Sequence, residues 1–208
     1  MDDPVRQAEK QAQRYWYVDG LSEIAAGGVI LVIALYYAIL GWIPVADAAG
    51  WLMTVGQLLV LIVSAVLARA IVLALKERIT YPRTGYVAMR RGSKPKRVLF
   101  GIVAAMLAAV FAMAITLSNS DLVRHWLIPV SPGLFVAYLG YTNGLRRFYP
   151  MAVYTLIISV ANTYLGLGPL FDSALFFLAF GLGWLFTGVW GLRSYLANTQ
   201  PAGSTGEE

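Results

Sequence analysis

Asp121 and His125 stand four residues apart, a spacing at which a carboxylate can orient an imidazole as a general base. No nucleophile stands at a recognisable spacing from them, and His125 is the single histidine of the chain. There is no cysteine, which removes disulfides, thiolate metal sites and a cysteine nucleophile. A metal cluster would need carboxylates almost alone, and most of the eleven acidic residues lie in the tails or near the ends of apolar runs. The zinc-protease helix motif, the Gly-rich phosphate loop and the Gly-x-Ser-x-Gly elbow are all missing from the sequence. The expectation is a protein without catalytic residues, metal or cofactor.

Charged side chains inside apolar runs are the second source of chemistry, because lipid or a protein interior penalises them unless they pair. Asp19 and Glu23 share one helical face at the start of an apolar run, and Arg69 lies inside the next. Antiparallel packing of the two runs predicts an intramembrane ion pair of Arg69 with Glu23, with Asp19 as the substitute acid.

These residues need elements to hold them, and composition says what kind. With 59% hydrophobic and 13% charged residues, the 208-residue chain is too apolar for a water-soluble domain. A crossing helix needs about 20 apolar residues, since a hydrocarbon core of about 30 Å is divided by a rise of about 1.5 Å per residue. Six runs qualify: residues 21–43, 51–75, 98–117, 126–145, 151–167 and 173–192. The predicted fold class is therefore all-α, a polytopic membrane bundle of six transmembrane helices at 21–193. It is preceded by a segment at 1–20 and followed by a disordered tail at 194–208, rich in Gly, Ser and Pro. Residues 1–14 mix acids and bases, unlike a cleavable signal, so the first run is expected to stay as an anchor.

Basic residues set the orientation. The amino-terminal segment, the second and fourth connections and the carboxyl end together hold fourteen Lys and Arg, against Arg124 alone in the opposite connections. This alternation places both termini in the cytoplasm. It also explains the net charge of +5 through membrane orientation, without nucleic acid as a partner. Tyr15, Trp16, Tyr17, Trp42, Trp51 and Trp126 fall where the runs meet the headgroup level.

The second connection, residues 76–97, combines eight basic residues with a turn around Pro82 and Gly85. Its Arg78, Tyr81, Pro82, Arg83, Gly85, Tyr86, Arg90 and Arg91 form a candidate docking loop for anionic phospholipid headgroups or a cytoplasmic or membrane protein. Two runs are more polar than the rest. Tyr138, Tyr141 and Asn143 in the fourth, with Thr155, Ser159 and Asn162 in the fifth, are candidates for a polar cavity or for interhelical hydrogen bonds. Small residues suggest close helix packing: Gly101, Ala105 and Ala109 beside Ala104, Ala108 and Ala112 in the third run, and Ala179, Gly181, Gly183, Gly188 and Gly191 in the sixth.

Asp-Gly-Leu-Ser-Glu-Ile at 19–24 and Arg-Ile-Thr-Tyr-Pro-Arg-Thr-Gly-Tyr-Val at 78–87 resemble signatures of a small bacterial multi-pass membrane family without an assigned activity. The resemblance implies the bacterial cytoplasmic membrane and transfers no catalytic or binding residue. The leading expectation is a non-enzymatic scaffold or accessory subunit docking through 76–97. A small-solute transporter using the polar faces is the alternative, and a lipid-modifying enzyme using Asp121 and His125 stands third.

Overall fold

The computed structural model describes residues 19–43, 55–81 and 128–199. Among the described residues the fold is all-helical. The helices are α1 (Leu21–Trp42), α2 (Gln57–Leu75, continued by a π-helical segment Lys76–Thr80), α3 (Ile128–Asn143), α4 (Phe148–Asn162) and α5 (Pro169–Asn198). Three of them, Leu21–Trp42, Gln57–Thr80 and Pro169–Asn198, are long and apolar enough to cross a membrane, and Phe148–Asn162 is a shorter apolar helix. Leu58, Leu59, Ile62, Val63, Val66 and Leu67 are all exposed on α2. In water such a surface would drive aggregation, and in lipid it is ordinary, so the helices suit a membrane-embedded protein.

Local chemistry sets the helix ends. α1 stops at Trp42, with Ile43 extended before Pro44, because the proline ring disfavours helical geometry in the residue before it. α4 ends at Asn162 and not at residue 167 as the apolar run suggests, and the turn that follows carries Gly166 and Gly168 at φ of 63° and 105°. α5 then starts at Pro169, where a missing N–H costs nothing, and the Asp172 carboxylate accepts from the Leu167 N–H at 3.0 Å. It runs to Asn198, so residues 194–198, expected in the disordered tail, are helical. Likewise Lys76–Thr80, expected in the second connection, continue α2. In α3, Pro132 is tolerated because it sits near the start, where few intrahelical bonds are lost. The third run at 98–117 with its small-residue ladder, and Asp121 with His125, lie outside the described residues.

Neighbouring helices pack antiparallel. Glycines allow α1 and α5 to touch backbone to backbone at two levels seven residues apart. A Cβ on Gly20 would run into the Gly188 carbonyl oxygen, and one on Gly27 would stand 2.9 Å from the Gly181 oxygen. Gly20 also has φ 70°, which a side chain would strain. α3 meets α4 through Gly140 against Phe148 and Gly133 against Leu156, and α4 meets α5 through Met151 and Tyr154 against Gly183. The core gathers Val136, Leu145, Phe148, Met151, Ala152 and Trp184. At the far end of the bundle Trp42 packs edge-on against Phe171, with ring centres 6.1 Å apart, and Tyr37 donates to Gln57 at 2.9 Å.

Candidate functional site

The start of α1, the end of α2, the α3–α4 turn and the last turns of α5 converge at one end of the bundle, and the buried charges collect there. Asp19 precedes α1. Its Oδ1 accepts from the Leu21 N–H at 3.1 Å, satisfying one donor of the first helical turn. Its Oδ2 accepts from Lys76 Nζ at 2.6 Å and Thr80 Oγ1 at 2.9 Å. Lys76 and Thr80 stand one four-residue step apart on α2, and both are buried. The Tyr195 hydroxyl of α5 closes the cluster on the Thr80 carbonyl oxygen at 3.4 Å.

One helical turn deeper, Glu23 Oε1 accepts from Arg147 Nη2 at 2.5 Å. Arg147 comes from the α3–α4 turn, and its guanidinium lies over Gly191 of α5, where a Cβ would collide with it. Among the described residues each acid has its own base, Lys76 on Asp19 and Arg147 on Glu23. Buried pairs of this kind add little net stability, but loss of one partner strands a charge and is strongly destabilising.

The expected ion pair is therefore corrected. Asp19 and Glu23 do occupy one cluster, but their partners are Lys76 and Arg147, while Arg69 is exposed on α2. Lys76, level with Asp19, takes one acid, and Arg147 reaches the other from the α3–α4 turn, so both carboxylates are engaged while Arg69 stays exposed. Lys76, Thr80, Arg147 and Tyr195 are site residues that sequence reasoning missed. Asp19 and Lys76 flank consecutive apolar runs at their same-side ends, a signal that equal counting from those ends would have found.

Among the described residues the polar side chains of the fourth and fifth runs are dispersed. Tyr138 and Tyr141 are 62% and 77% exposed on α3. Thr155 and Ser159 are buried on α4, and Thr155 donates to the Met151 carbonyl of its own helix at 2.7 Å. Asn143 instead lines a cavity of about 430 Å³ together with Glu23, Phe148, Phe180 and Trp184, whereas Asn162 is half-buried at the opposite end of α4. A second hollow of about 510 Å³ runs between α4 and α5 from Arg147 past Met151, Tyr154 and Gly183.

Of the docking-loop residues, Arg78 is exposed and Tyr81 half-buried. Pro82, Arg83, Gly85, Tyr86, Arg90 and Arg91 lie outside the described residues. The stretches at 19–24 and 78–87 meet in space, through Asp19 and Thr80. No family model, curated protein or solved structure matches this chain.

Proposed function

We propose that this chain is a six-span protein of the bacterial cytoplasmic membrane, with both ends of the sequence on the cytoplasmic side, and that it acts without catalysis as a scaffold or accessory subunit docking through 76–97. Helix direction supports the six spans. α1 and α4 leave the charged end, whereas α2, α3 and α5 run toward it. Residues 81 and 128 thus stand at opposite ends of the bundle, which favours one further crossing between them. Residues 98–117 form the run there with the apolar length for one crossing.

The observation that carries the docking reading is the anchoring of Lys76 and Thr80 to Asp19 and Tyr195. The first turn of the basic connection is part of the bundle, so Arg78 projects from a fixed base, with exposed Arg146 and Arg193 at the same end. A rigid cationic face favours an acidic protein surface or anionic headgroups and adds encounter rate and orientation more than affinity.

The test is cross-linking in native membranes followed by purification in mild detergent. A stoichiometric protein partner should be retained. It should be lost when Arg78, Arg83, Arg90 and Arg91 are all replaced by Glu, with the melting temperature of the isolated protein unchanged. Recovery of the wild-type chain alone, or retention of the partner by the variant, overturns docking through this segment.

A further inference from the structure

The hollow of about 510 Å³ between α4 and α5 is a groove that begins beside Arg147 at the charged end of the bundle. Pro150 and Met151 wall it on α4, and Phe186 and Trp190 wall it on α5. Phe186 and Trp190 are 68% and 65% exposed, so that wall stands at the outer surface, where a membrane-embedded bundle meets lipid. Tyr154 ends the groove on the inside, because its hydroxyl donates to the Ala179 carbonyl oxygen at 2.9 Å and bridges the two helices. Gly183 and Ser194, the limits of the α5 wall, stand about 16 Å apart along the helix at about 1.5 Å per residue. That is the depth of one leaflet, half of a hydrocarbon core of about 30 Å. Unfilled space of this size forfeits the contacts of its lining, so an occupant that fits it is favoured.

Charge selects the occupant. The walls are apolar and aromatic, whereas the mouth carries the Arg147 guanidinium and the Ser194 hydroxyl, with Arg146 and Arg193 exposed at the same end. With six spans, a helix from residues 98–117 would bring Lys94, Lys96 and Arg97 to these arginines, like charge against like. A second copy docked groove to groove and inserted the same way up would set its own three arginines there. An anionic phospholipid brings the opposite charge on a chain that reaches one leaflet deep. We propose that the groove binds an anionic phospholipid of the leaflet at the charged end. One acyl chain lies between α4 and α5 as far as Tyr154, and the phosphate sits at Arg147 and Ser194, with Arg146 and Arg193 around it. The volume falls within the range of small-molecule pockets, roughly 300–1,000 Å³. The six-span topology enters only in excluding residues 98–117, and docking through 76–97 does not enter, so failure of this site leaves that role standing.

The full chain, delipidated in mild detergent, is titrated with phosphatidylglycerol and with phosphatidylcholine of the same acyl chains, read by melting temperature and native mass spectrometry. Phosphatidylglycerol should give saturable stabilisation and bind about tenfold tighter than phosphatidylcholine. Ser194→Glu, at an exposed position, sets a carboxylate at the mouth and should weaken phosphatidylglycerol about tenfold. Phe186→Ala combined with Trp190→Ala cuts away the outer wall and should weaken it similarly without touching a charge. Should that double variant fail to fold, Ser194→Glu still decides the matter. Phosphatidylglycerol carrying a diazirine on its acyl chain should label Met151, Tyr154 and Phe186. Equal affinity for the two lipids, phosphatidylglycerol binding unchanged by Ser194→Glu, or labelling confined to other helices overturns the proposal. So does disulfide capture of Phe186→Cys by a cysteine placed within 98–117, or by the same cysteine of a second copy, because a helix then fills the groove.

Discussion

Lys76 and Asp19, 57 residues apart in the chain, meet at 2.6 Å with both side chains sealed from solvent. The same carboxylate holds the first turn of α1 and the hydroxyl of Thr80, so one acidic residue fixes the start of α1 against the end of α2.

Lys76→Met should therefore destabilise the protein by about 3–5 kcal/mol, because Asp19 is left charged and buried. In the double variant Asp19→Asn with Lys76→Met, the amide oxygen still caps Leu21 and no net charge remains. Its loss should be clearly smaller than the sum of the two single losses. A thermal-denaturation double-mutant cycle in detergent measures the difference, and strict additivity would show that the two residues do not interact.

Arg147 and Arg69 give a direct contrast. Arg147→Met should cost about 3–5 kcal/mol through the stranded Glu23 carboxylate. Arg69→Leu, at an exposed position, should stay within about 0.5 kcal/mol of wild type. Melting temperatures of the two variants side by side check this, and the opposite ranking would restore Arg69 as the partner of Glu23.

The pairing of α1 with α5 rests on absent side chains. Gly27→Leu and Gly181→Leu each force the helices apart, since even a Cβ at these positions stands 2.9 Å from atoms of the facing helix, and should cost about 1–3 kcal/mol or more. Gly28→Leu, where a Cβ meets nothing within 4 Å, should be nearly neutral. Equal melting temperatures for all three variants would remove the close contact from the account.

Orientation is open to chemical labelling, because the natural chain contains no cysteine. Single cysteines replacing Arg78, Arg146 and Arg193 should react with an impermeant maleimide from the cytoplasmic side of sealed vesicles. Cysteines replacing Tyr164 and Leu167, in the turn at the other end of α4, should react from the opposite side. Reaction of Arg78→Cys and Arg146→Cys from different sides would overturn the six-span topology.

The parts of the fold legible in the sequence are those that desolvation dictates. A run such as 21–43 has one low-energy answer in hydrocarbon, and α1 occupies it almost residue for residue. Ends set by backbone geometry were harder to read. Gly168 and Pro169 hold the start signal of α5, but the apolar content that defined the sixth run begins four residues later. Pairing was least legible, because it depends on which helices become neighbours. Arg147 reaches Glu23 from 124 residues away, through a turn whose position no local pattern specifies. Tyr138 and Tyr141 look like an inward polar face by spacing, yet they lie outward near the end of α3 that meets Arg146 and Arg147, where amphipathic rings suit the headgroup level.

The glycine contacts between α1 and α5 also bear on biosynthesis. The ribosome delivers the first helix long before its counterpart, so Gly20 and Gly27 wait through the emergence of more than 150 further residues before Gly188 and Gly181 exist to receive them. During that interval Lys76 can already neutralise Asp19, but Glu23 lacks its native partner until residue 147 has emerged. A chain cut short before residue 147 therefore leaves Glu23 without this partner, and one cut short before α5 leaves the glycine face of α1 uncovered.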